Sequence, residues 1–160
     1  MKLVVEMPAA WIATPDGATL APDVSLRIGR FAQLPLNLEA WRDAWVFAGV
    51  DRRQVRVVAA LDRTTDGGWP LGLVVTEVAG RRRLHAFYRL LVYGVVAIVE
   101  GEARAFDALL DEARQVLVNA RPDFGTERPR AVREVWAGFA APESAPGENE
   151  PRFPYSDEGP

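Results

Sequence analysis

Polar and apolar residues follow one another along this chain in two rhythms, and each rhythm predicts an element. In DVSLRIGRF (residues 23–31), Val24, Leu26 and Ile28 point one way while Ser25, Arg27 and Gly29 point the other. That period of two is the mark of a half-buried strand. Short strands are also expected at residues 2–6 and 10–14, on either side of Pro8, with TPDGAT (14–19) read as turn chemistry.

The rhythm then changes. Leu38, Trp41, Trp45 and Ala48 make one apolar stripe at helical spacing. Asn37 suits the N-cap, Glu39 the first turn and Gly49 the position after the helix end. Helix-to-sheet packing accounts for both tryptophans. Beyond it, QVRVVAALDR (54–63), LGLVVTEVAG (71–80), LHAFYRLLVY (84–93) and GVVAIVE (94–100) read as strands. Their short connections favour an antiparallel meander, with the last two strands joined near Tyr93-Gly94.

GEARAFDALLDEARQVLVNA (101–120) is the longest predicted helix. It is apolar at Phe106, Leu109, Leu110, Ala113, Val116 and Leu117, and it is ended by Pro122. AVREVWAGFA (131–140) reads as a late strand or a packed extension. The expectation is thus an α+β fold, a largely antiparallel sheet with two main helices. Residues 1–141 form one domain, and residues 142–160 an acidic, Pro-rich tail that is disordered or a docking peptide.

The run from Phe87 to Val99 is too short for a spanning helix and is broken by Arg89 and Gly94, so no membrane insertion is expected. The opening LVV run is stopped by Glu6 and Pro8, which is no signal peptide, and a cytoplasmic location is the default. No cysteine is present, which excludes disulfides and thiolate sites.

Lys2 is the sole lysine among 19 basic residues, and the net charge is −3. The tail carries Glu143, Glu148, Glu150, Asp157 and Glu158 against Arg152. The rest of the chain is therefore near neutral, which argues against nucleic acid as a partner.

Candidate chemistry is sparse. His85 is the single histidine, and no Ser–His–Asp grouping accompanies it. Asp107 and Asp111 are one helical turn apart but lack a further ligand, TTDGGWPLG lacks the Lys of a phosphate loop, and Arg81–Arg83 follow a turn glycine. No catalytic residue, metal site or cofactor is expected.

What remains is a sheet apolar on both sides. Leu84, Ala86, Tyr88, Leu90 and Val92 share one face of their strand, while His85, Phe87, Arg89, Leu91 and Tyr93 share the other. If both helices cover one face, the second is covered by another element or binds an apolar partner. On the binding reading, Phe87, Leu91 and Tyr93 supply contact area, and His85 and Arg89 supply polar anchors. Phe153 and Tyr155, set among prolines, would be the docking residues of the tail. The competing reading is a small-molecule or enzymatic pocket near Trp41, Trp45 and Tyr88.

The order of elements adds a resemblance. A PAAW entry (8–11) precedes the alternating strand and the helix. The meander ends in FYRLLVYGVVAIVEG (87–101), and the last helix carries AFDALL (105–110). Over residues 1 to 125 this resembles the Mog/PsbP-like α/β/α sandwich, and within it the DcrB-type proteins, which include effector-associated chaperones of type VI secretion. The resemblance implies a non-enzymatic adaptor or chaperone, commonly a homodimer, that shelters an apolar protein segment against its sheet.

Overall fold

The computed structural model describes residues 2–124 and the backbone of residues 134–137. The tail residues Phe153 and Tyr155 lie outside the described residues.

The chain opens with β1 (Lys2–Glu6), followed by β2 (Ile12–Thr14), β3 (Gly17–Ala21), β4 (Val24–Ile28) and the short β5 (Ala32–Gln33). Next come α1 (Leu38–Val46) and a 3-10 turn at Arg52–Gln54. The meander comprises β6 (Arg56–Thr64), β7 (Pro70–Val78), β8 (Arg81–Leu90) and β9 (Tyr93–Glu102). The chain continues through α2 (Ala103–Asn119) and β10 (Arg121–Asp123) to β11 (Glu134–Ala137).

The main sheet has the order β2-β3-β4-β9-β8-β7-β6, with β5 also paired to β9, and every pairing in it is antiparallel. A second, three-stranded sheet has the order β10-β1-β11. The late strand expected within residues 131–140 is β11, paired antiparallel to β1.

Both helices begin as their sequences dictate. The Asn37 side chain accepts a hydrogen bond from the Ala40 N–H at 3.0 Å, and Glu102 accepts one from Ala105 at 3.2 Å. Each cap satisfies a backbone donor that the first helical turn leaves without a partner.

The two helices lie on opposite faces of the sheet. Leu84, Ala86 and Tyr88 of β8 join Val95, Ala97 and Val99 of β9 in a core shared with Phe106, Ala113 and Leu117 of α2. Leu3, Val5 and Met7 close this same side. The Tyr88 hydroxyl, fully buried, donates to the Leu117 carbonyl at 2.6 Å and pins the sheet to α2. On the other side, Phe87, Val96 and Ile98 pack with Leu34, Trp41 and Trp45 beneath α1.

The condition of two helices on one face is therefore not met, and a helix covers each side as in a sandwich. The reason lies in two glycines. A Cβ on Gly94 would come within 2.4 Å of Leu34 and 2.8 Å of Trp41, and one on Gly72 within 2.6 Å of the Arg42 guanidinium. Their missing side chains let α1 settle onto the strands. One correction concerns TPDGAT: its last three residues begin β3, and Gly17 passes so close to the Leu26 carbonyl that no Cβ fits.

Candidate protein-binding rim

The face that carries His85 and Phe87 is not open. Both side chains are wholly buried, Phe87 at 0% exposure, so neither offers contact area to a partner. Trp41 meets the Phe87 ring edge-on at 5.2 Å, and the Arg42 guanidinium lies 5.7 Å from its centroid while pairing with Asp62 at 3.3 Å. His85 stacks near Phe87 at 6.0 Å, and neither of its ring nitrogens makes a hydrogen bond of good geometry. Burial, aided by the charge of Arg83, pushes the imidazole down from 6.5 to about 4, so it stays neutral. A buried neutral imidazole with no acidic orienter is a packing group.

The competing reading of a pocket near Trp41, Trp45 and Tyr88 is corrected too. The two tryptophans belong to the α1 side and Tyr88 to the α2 side, so the three line no common space. Among the described residues, no group of three His, Cys, Asp or Glu side chains could hold a metal ion. No helix of the described residues is long and apolar enough to cross a membrane.

Leu91 and Tyr93 sit elsewhere than their alternation suggested. Leu90 pairs with Tyr93, so the strands join through a two-residue turn at Leu91-Val92. Tyr93 therefore shares the side of Leu90, not that of Phe87. Arg89 is half-buried opposite Gly94. Leu91 has φ 60° and is 82% exposed. A left-handed backbone at the first turn position suits glycine, and leucine there costs roughly 1–2 kcal/mol. The Leu34 N–H bonds the Val92 carbonyl at 2.7 Å, which brings Leu36, 74% exposed, to the same end. Leu36, Leu91, Val92 and Tyr93 thus form an apolar tip.

The other uncovered place is the end of the sheet. Among the described residues β6 pairs with β7 alone, and all of its own residues are exposed, including Val57 at 51% and Leu61 at 46%. Past a bulge between Val57 and Ala59, its ladder is regular to Thr64. Beside this edge, Arg63, Thr64, Asp66, Asp111, Arg114, Gln115 and Val118 line an open groove of about 670 Å³. The Asp66 N–H bonds the Val118 carbonyl at 3.0 Å and ties the turn after β6 to α2.

The arginine triplet is committed elsewhere. Arg81 pairs with Asp23 at 3.2 Å, Arg82 with Glu77 at 3.0 Å and with Asp107, and Arg83 with Glu100 at 3.3 Å. Hydrogen bonding from Arg82 holds the Glu77 carboxyl below its usual range. These arginines stitch strands together and leave no free basic patch.

Sequence reasoning missed the edge, since the apolar pattern of β6 matches that of covered strands. It missed the turn at Leu91-Val92 because the dipeptide has no turn chemistry. The glycines on the α1 face were the available signal that this face would be covered.

With the geometry in place, comparison with known proteins gives the fold class. No family profile matches the chain, and no curated protein matches it in sequence. The cyanobacterial PsbP protein (CyanoP) of Synechocystis sp. PCC 6803 is similar in structure with a TM-score of 0.53. That match has 13% identity and covers 76% of this chain and 87% of that one. A Pseudomonas aeruginosa protein of unknown function matches at TM-score 0.47 and 12% identity, over 81% of this chain and 83% of its own. The chain has a PsbP-like α+β fold. At such identity the likeness speaks to fold alone, and neither neighbour carries the narrower DcrB-type assignment.

Proposed function

We propose that the chain is a non-enzymatic, cytoplasmic adaptor or chaperone that meets a protein partner through the uncovered rim of its sheet. The observation that carries this reading is the distribution of exposed large apolar side chains. Seven gather at two open places of the main sheet: Val57, Val58 and Leu61 on the β6 edge, and Leu36, Leu91, Val92 and Tyr93 at the tip. Large apolar side chains exposed at such open places suit a partner that covers them. An unpaired strand edge in addition presents backbone donors and acceptors that only another extended chain satisfies in register. The resemblance to secretion chaperones extends the proposal to a cargo with an apolar segment.

The test is affinity capture from the native host with wild-type bait and two folded variants, Leu61→Asp and Leu91→Ser. A partner retained by the wild type and lost with either variant supports the reading. A partner held equally by all three would place binding away from the rim, and no partner at all would remove the adaptor role.

A further inference from the structure

We propose that the free edge of β6 takes an extended peptide with an apolar centre and acidic flanks as an added strand. This rests on the protein-binding reading and names the chemistry of the partner.

The two ends of the main sheet differ in what they can accept. At one end β2 is three residues long, too short to hold a partner strand. At the other, β6 is nine residues long, contains no proline and is exposed at every residue. Edges are usually blunted by shortness, proline, cover, bulges or charge; among the described residues β6 has none of the first three, and its bulge and charges leave the stretch from Ala59 to Thr64 regular. Its bulge at Val57–Ala59 confines regular pairing to Ala59–Thr64.

Charge then selects the occupant. Ala59, Leu61 and Arg63 are paired with Val75, Leu73 and Leu71, which point to the α2 side. Arg56, paired with Glu77, lies toward the same side before the bulge and is held by Glu77 at 3.1 Å. Asp62, the only acidic residue of the strand, pairs with Gly72, faces α1 and is engaged by Arg42. Arg63 makes no ion pair among the described residues, and Arg114 beside it reaches only the wholly exposed Asp111, at 3.7 Å. Asp66 and Asp111 belong to the groove but lie off the strand.

A cross-strand side chain meets its direct opposite first. On the α2 side, a strand added to β6 therefore meets a cation, a small residue, a leucine and a second cation, with no acid on the strand to oppose it. The complement is an apolar residue opposite Leu61 with an acid two positions to either side, one opposite Arg63 and the other opposite Ala59 toward Arg56.

The test uses two labelled peptides, Thr-Glu-Thr-Ile-Thr-Glu-Thr and Thr-Lys-Thr-Ile-Thr-Lys-Thr, titrated by fluorescence anisotropy against the full chain. The acidic peptide should bind at least about fivefold more tightly than the basic one, as cross-strand charge pairs dictate. Arg63→Glu, an exposed substitution that leaves the fold intact by circular dichroism, should erase or invert that preference.

Equal binding of both peptides, or a preference untouched by Arg63→Glu, overturns the assignment. So does no binding of either peptide. Concentration-dependent self-association that Leu61→Asp abolishes would assign the edge to a second copy and also overturn it. If the peptides fail while a captured partner still depends on Leu91, only this inference falls. If capture fails as well, the adaptor reading falls with it.

Discussion

Strands β8 (Arg81–Leu90) and β6 (Arg56–Thr64) are close in length and alike in composition, each opening on arginine and running through apolar residues. Yet Leu84 to Tyr88 of β8 are buried without exception, while every residue of β6 is exposed. β8 lies between β9 and β7, with α1 over one face and α2 over the other, whereas β6 ends the sheet. Apolar alternation therefore marks a residue as fit for a sheet, and topology decides whether it becomes core or contact surface. The same distinction separates Phe87 from Leu91, four residues apart.

The strongest way to break this comparison is to charge each strand in turn. Phe87→Asp should abolish cooperative folding, because truncating a buried phenylalanine already costs about 3–5 kcal/mol and an unpaired buried charge adds to it. Leu61→Asp should change stability by only about 0.5 kcal/mol. Denaturant melts of the two variants decide the matter: a folded, stable Phe87→Asp protein would show that α1 does not seal that face.

His85 sharpens the comparison through pH. Its folded-state pKa lies below the unfolded value, so the unfolded chain binds the proton more readily. The contribution of His85 to stability is therefore full above pH 6.5 and is lost as pH falls toward 4. Between neutrality and about pH 5 the loss should reach roughly 2 kcal/mol. His85→Leu should flatten that part of the urea-stability profile. An unchanged slope in the variant would mean that the imidazole is not held neutral by burial.

A smaller effect is expected at the hinge between sheet and α2. Tyr88→Phe removes the hydroxyl that bonds Leu117 and leaves a buried carbonyl short of a partner, which should cost about 1 kcal/mol without altering the fold. Thermal melts that show no change would mean that solvent reaches this carbonyl.

Much of the architecture was legible in the residues. Asn37 and the Leu38–Trp41–Trp45 stripe mark α1, the Phe106-to-Leu117 periodicity marks α2, and the alternation along β8 separates His85 and Phe87 from Leu84, Ala86 and Tyr88. The side on which each helix packs was not, because both faces of the meander are equally apolar. Gly72 and Gly94 carry that information only through the space that they leave for α1. The site was less legible still. Leu91 reads as strand, but its positive φ turns the chain. Leu61 reads like any half-buried strand residue, and its exposure follows from where β6 falls in the strand order.

The account stands on β6 being an open, partner-accepting edge, and hydrogen exchange of the backbone amides tests that most directly. With the acidic-flanked peptide added, amides within Ala59–Thr64 should exchange more slowly, while those of β8 and β9, already sealed, should not change. Slowing confined to α1 and the strands beneath it, or no slowing anywhere at saturating peptide, would contradict the account.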